Sequence, residues 1–99
     1  MICNSSIANR KVNGLLKACA AEHDIPYQME SYMGRTGTDA DKIHFTGTGV
    51  TTALLSLPLR YMHSPSEVCH IRDIEYAINL LANFLCAIDP NTNLDPFAE

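Results

Sequence analysis

Residues 50–68 read VTTALLSLPLRYMHSPSEV, an apolar and β-branched run that meets two prolines and a histidine. Val50 to Leu57 has the composition of a strand covered on both faces, and Pro58 ends it because its ring removes a ladder donor. Pro65 fixes its own φ near about −65° and drives Ser64 towards extended geometry. His63 is therefore expected at the C-terminal mouth of a strand, the edge where open α/β sheets bind ligands. A neutral imidazole there is a common metal ligand and a possible acid or base, and a purely structural role is the plainer alternative.

Upstream, a first helix is expected to start near Asn4 to Ser6, whose side-chain oxygens can cap it, and to run to about His23. Its apolar stripe is Val12, Leu15, Leu16, Cys19 and Ala20. Tyr27 to Tyr32 alternates as a short strand. GRTGTDAD, residues 34–41, then leads into a short helix over Ala40 to Phe45 with Thr38 or Asp39 as cap. This Gly-containing turn lacks the Lys-Ser/Thr of a phosphate-binding loop, and Asp39 and Asp41 stand where an anion would sit. Downstream, Ile74, Ala77, Ile78, Leu81, Leu85 and Ile88 recur at three and four, which predicts a helix over Arg72 to Ala87 with those residues facing the core.

The order α-β-α-β-α indicates a layered α/β arrangement, parallel wherever the two strands are neighbours. Two strands leave edges unpaired, so the chain reads as part of a larger sheet. Residues 1–88 are expected to form a partial α/β domain, and residues 89–99, with Pro90, Asn91, Asn93 and Pro96, a loose C-terminal tail.

Ninety-nine residues of 46% hydrophobic composition suffice for one small domain. Seven basic residues against eleven acidic ones leave a net charge of −4, and the bases are scattered, so no stripe suits nucleic acid. Ile78 to Ile88 is the longest apolar stretch; Asn79 and Asn83 interrupt it, and it is too short for a bilayer. The N-terminus lacks the apolar core of a signal peptide, and a cytoplasmic location is expected. Cys3, Cys19, Cys69 and Cys86 form no CxxC pair, so they read as reduced thiols, with Cys19 and Cys86 packed on helix faces. Cys69 and His70 are neighbours on an extended segment and point apart, which argues against a catalytic pair.

RYMHSPSEV at 60–68, GRTGTDAD at 34–41, IPYQ at 25–28 and RDIEYAINLL at 72–81 occur together and in order. This set resembles the C-terminal part of the dizinc tetrahedral or deblocking aminopeptidases, a family that includes glutamyl aminopeptidases and members labelled endoglucanase or cellulase M. The resemblance runs from about Val12 to Leu85. It implies an enzyme that removes N-terminal residues from peptides with two zinc or cobalt ions, which lower the pKa of a water while a glutamate accepts its proton.

By motif match His63 is one metal ligand. Thr38, Asp39, Arg60 and Ser64 correspond to loops beside the active site, although Asp39 reads locally as a helix cap. The second histidine, the aspartates and the Glu-Glu pair of the family have no counterpart here, so the resemblance implies a C-terminal segment that is inactive alone and holds no metal tightly. Two departures stand out. Gly34-Arg35-Thr36-Gly37 replaces the more usual glycine run, and His70 stands where relatives often carry Asp.

Two alternatives remain. One is a non-catalytic assembly module that associates through an exposed sheet edge or apolar face. The other is an endoglucanase, although neither a facing pair of carboxylates nor an HExxH spacing can be read in the chain.

Overall fold

A computed structural model describes residues 1–5, 7–31 and 36–95. The chain opens with a strand, β1 (Ile2–Asn4), followed by helix α1 (Arg10–Glu22), strand β2 (Met29–Ser31), a single turn α2 (Ala40–Ile43) and the long helix α3 (Ile71–Ala87). β1 pairs with β2 in parallel, with Ile2 opposite Met29 and Asn4 opposite Ser31. On its other side β1 carries the extended segment 51–57, which meets it antiparallel at the Ile2–Leu55 bridge. The α/β class expected from the sequence holds.

The N-terminal strand is the principal difference from the sequence reading. Ile2 and Cys3 are fully buried, which places β1 at the centre of the sheet. A three-residue strand has no periodicity to display, and its burial comes from neighbours far along the chain. Cys3 N–H donates to Leu54 O at 3.0 Å and Ser56 N–H to Met1 O at 2.8 Å. The two strands expected from the sequence are thus separated by a third. The 50–57 run is irregular apart from its bridge at Leu55 and runs antiparallel to its neighbour.

Helix α1 begins at Arg10, later than the cap oxygens at 4–6 suggest. Asn9 is its N-cap: Oδ1 accepts from Lys11 N at 2.8 Å and from Val12 N at 3.1 Å. The same side chain donates from Nδ2 to Leu94 O at 2.9 Å, so one residue caps α1 and ties residues 89–95 back to it. Within that segment Asp89 organises a turn, accepting from Asn91 N at 2.8 Å, and Leu94 packs on the core.

Val12, Leu16, Cys19 and Ala20 are buried as the stripe predicts, and Leu15 is half-exposed. Burial, with help from Glu22, pushes the Cys19 thiol up from its ordinary range. Asn13 is buried too, its Nδ2 donating to Cys3 O at 3.0 Å, which pins α1 to the back of β1.

Helix α3 is capped by His70, whose Nδ1 accepts from Arg72 N at 3.1 Å. Leu80 is buried, and Tyr76 and Phe84 pack beside it against the core cluster of Ile2, Val12, Leu16, Cys19, Ala20 and Ile25. The expected core face is therefore displaced. Ile78 is 61% exposed and Leu85 63% exposed, because the helix turns the Tyr76–Leu80–Phe84 row inward instead. Cys86 is likewise exposed rather than packed. No helix among the described residues is long and apolar enough to cross a membrane.

Candidate functional site

The segment carrying His63 is built on the sheet. Thr52, Leu54 and Ser56 are tied to the first residues of the chain by backbone hydrogen bonds, among them Asn9 N–H to Thr52 O at 2.7 Å. Beyond Pro58, Arg60 and Val68 exchange both backbone hydrogen bonds, at 2.8 and 3.1 Å, and close residues 61–67 into a loop.

Within that loop Tyr61 (φ 60°) and His63 (φ 62°) adopt the left-handed region, which costs a non-glycine residue on the order of 1 kcal/mol or more. The Ser64 N–H at 3.2 Å and the Ser64 hydroxyl both donate to Tyr61 O, and Pro65 follows. These contacts hold the turn against the strain and leave His63 exposed. An imidazole so presented keeps its nitrogens available.

The loop at 36–41 is organised separately. Asp41 reaches back from α2, accepting at Oδ1 from Thr36 N (3.0 Å) and Thr36 Oγ1 (2.7 Å) and at Oδ2 from Gly37 N (2.8 Å). The Thr36 hydroxyl, and behind it the Thr36 amide, hold the Asp41 carboxyl below its ordinary range. Thr38 Oγ1 lies 2.7 Å from Thr36 Oγ1. Asp39 occupies the N-cap position, yet its side chain makes no cap hydrogen bond and is exposed. The cap predicted for Thr38 or Asp39 is thus replaced by Asp41, which satisfies amides ahead of the helix. An acid in the first turn, preceded by Thr-Gly-Thr, was the available signal for it.

The structure does not gather the expected residues into one pocket. A cavity of about 490 Å³ lies between α3 and the 25–28 and 55–58 segments, lined by Tyr27, Ser56, Pro58, Asp73 and Tyr76. A groove of about 410 Å³ lies at the base of the His63 loop and includes Arg60, Cys69 and His70. His63, Ser64, Thr38 and Asp39 line neither. Among the described residues helix α2 packs on none of the other helices or strands, so the 36–41 loop stands away from the core. The Gly34-Arg35 part of its motif lies outside the described residues.

A model of the M42 glutamyl aminopeptidase family matches residues 1–80. The chain belongs to that family. It is 38% identical over 82 residues to a putative aminopeptidase of Acetivibrio thermocellus, a match covering 83% of this chain and 24% of that protein. The lysyl aminopeptidase of Pyrococcus furiosus matches at the same identity and coverage. The putative aminopeptidase FrvX of Escherichia coli is 35% identical over 81% of this chain and 22% of its own length. This M42 chain therefore spans about a quarter of the length of these relatives.

A two-ion centre needs several donors around each metal. Among the described residues no group of three His, Cys, Asp or Glu side chains is placed to share an ion. The donors among the described residues do not by themselves fit a dimetal group. His63, exposed as it is, offers one imidazole.

Proposed function

We propose that the chain is a C-terminal segment of the catalytic domain of an M42 aminopeptidase, residues 1–88 forming part of that domain. In its complete form such an enzyme removes N-terminal residues from peptides in the cytoplasm, with two zinc or cobalt ions. His63 is its one metal ligand in this segment, and Thr38, Asp39, Arg60 and Ser64 belong to loops beside the substrate. The observation that carries the reading is the His63 loop: a left-handed, exposed histidine on a closed loop just beyond a sheet segment, in a chain of this family.

The unfinished sheet supports it. β1 is the central strand, and β2 and the 51–57 segment are free along their outer edges, as in a sheet that continues into further polypeptide. Phe45, 77% exposed, and the exposed Ile43 and Val50 also suit a chain that continues into further polypeptide. Alone, the segment lacks most of its metal ligands and is inactive, holds no metal tightly, and self-associates through an exposed edge or apolar face.

The test is zinc titration with an aminopeptidase assay, on the chain alone and mixed with the upstream polypeptide of a relative. We expect no tight zinc and no turnover alone, and both on reconstitution. One tightly held zinc per isolated chain, or a reconstituted enzyme that keeps its turnover after His63→Ala, would overturn the assignment.

A further inference from the structure

Helix α3 starts on an uncommon cap. Asp, Asn and Ser are the favoured residues at an N-cap, where a side-chain oxygen accepts from the first helical amides. Here the acceptor is the Nδ1 lone pair of His70, 3.1 Å from the Arg72 N–H. That lone pair exists only on the neutral ring: with its one N–H on Nε2, Nδ1 can accept, whereas the imidazolium carries an N–H on both nitrogens. Protonation therefore sets two donors against each other. It also places a positive charge at the positive end of a helix of 17 residues.

Position gives the cap its consequence. His70 follows closely on Val68, which exchanges both backbone hydrogen bonds with Arg60 and closes the loop carrying His63. On the other side Asp73 N–H donates to His70 O at 3.0 Å, and Leu80 anchors the same helix in the core. His70 is thus the joint between the closed loop and an anchored helix. The charged and titratable groups around the ring are Arg60, Cys69 and Asp73 in the groove that His70 lines, and Arg72 on α3 itself. Arg60 and the helix terminus oppose a cation at His70, and Asp73 favours one. Arginines and carboxylates keep their charge between about pH 7.5 and 5 while histidines change theirs, which leaves the ring as the group that switches.

We propose that His70 is an acid-sensitive latch: neutral, it caps α3 and fixes the joint to the His63 loop, and protonated, it releases both. Only the folded chain uses the neutral ring as a cap, so the contribution is present in neutral solution and is lost as pH falls. The latch rests on the geometry of α3 and of the loop base. It stands whether or not His63 holds a metal.

The experiment is NMR on the whole chain from about pH 7.5 to 5, following the His70 ring and the Arg72 and Val68 amides, with denaturant unfolding at both ends of the range. His70→Asn caps through an oxygen across the whole range, and His70→Ala has no cap at any pH. In the wild type both amides are expected to move with the same midpoint as the His70 ring. The unfolding constant of the wild type, relative to that of His70→Asn, should rise on the order of fivefold from the neutral to the acid end, the worth of one cap. Both amides should hold their positions in His70→Asn, and His70→Ala should resemble the acid wild type throughout.

An Arg72 amide indifferent to the His70 titration, or already at its unfolded position at the neutral end, overturns the latch. Movement of Arg72 without Val68 leaves a pH-sensitive cap and overturns its hold on the loop. The same movements in His70→Asn assign the sensitivity to another group, such as Cys69 or His63, and overturn the inference. If His70→Asn loses helix content by circular dichroism, the wild-type titration decides, because coincident midpoints of the ring and the two amides need no variant.

Discussion

The two halves of this molecule solve different problems. Residues 1–31 together with α3 make a core, in which Ile2, Cys3, Leu16, Ala20 and Leu80 are almost wholly removed from water and α1 contacts both β1 and α3. Among the described residues, 36–49 and 58–68 make no such core, whereas 51–57 between them join it beside β1. Their helix α2 packs on no other element among the described residues, and their turns are held by local hydrogen bonds such as Asp41 to Thr36 and Gly37, and Ser64 to Tyr61. Stability is concentrated in the first region and the candidate chemistry in the second. Groups that must meet a substrate cannot also be buried among their own side chains, so local hydrogen bonds fix their position instead.

Substitutions can break that contrast. The largest effect is expected for Leu16→Ala, where a side chain 3% exposed leaves a cavity between α1 and the sheet. A loss of about 2–5 kcal/mol is expected from denaturant unfolding, a large part of the stability of so small a domain. A loss below about 1 kcal/mol would mean that the core is not where the packing puts it.

Asn9→Ala comes next. It removes the cap of α1 and the tie to Leu94 at once, and about 1–2 kcal/mol should be lost. Faster backbone exchange at residues 92–95 is expected alongside it, and unchanged exchange there would show that the tie contributes nothing.

His63→Ala should change the unfolding free energy of this chain by less than about 0.5 kcal/mol, because the side chain is exposed. A loss of about 2 kcal/mol or more would make His63 a structural residue and end its assignment as a ligand.

The smallest effect concerns pH. The Asp41 carboxyl is held below its ordinary range by the Thr36 hydroxyl, so its contribution is present above the unfolded carboxylate value of about 3.9 and is lost as pH falls through the lower folded value. In an amide titration the Thr36 and Gly37 signals should shift and lose exchange protection below about pH 4, while those of α1 stay unchanged. Asp41→Asn should show the loosened loop already at neutral pH. Thr36 and Gly37 amides indifferent to both would sink this account of the loop.

How much of this could be read beforehand depended on the length over which a signal is written. Helix α1 spans enough turns for Val12, Leu16, Cys19 and Ala20 to declare a face. The α3 helix was equally plain in extent, but its apolar residues cover more than one face, and periodicity alone selected the Ile78–Leu85 side over Tyr76 and Phe84. That His63 lies in a turn beyond the 50–57 run was legible from Pro58 and Pro65, but its left-handed backbone was not. Asp41 was passed over for Thr38 and Asp39, since a carboxylate that caps residues ahead of its own helix leaves no spacing rule in the sequence.

By itself, then, the sequence determined the α/β class, the two long helices, the family and the exposed histidine loop, because each follows from local stereochemistry or from motifs several residues long. Tertiary structure alone decided that Ile2–Asn4 is the central strand, that residues 51–57 lie antiparallel to it, and that Asn9 joins α1 to Leu94. It also decided which face of α3 is buried. Each of these choices rests on contacts between residues far apart in the chain, and a sidedness settled by such contacts is not encoded in the spacing of either partner.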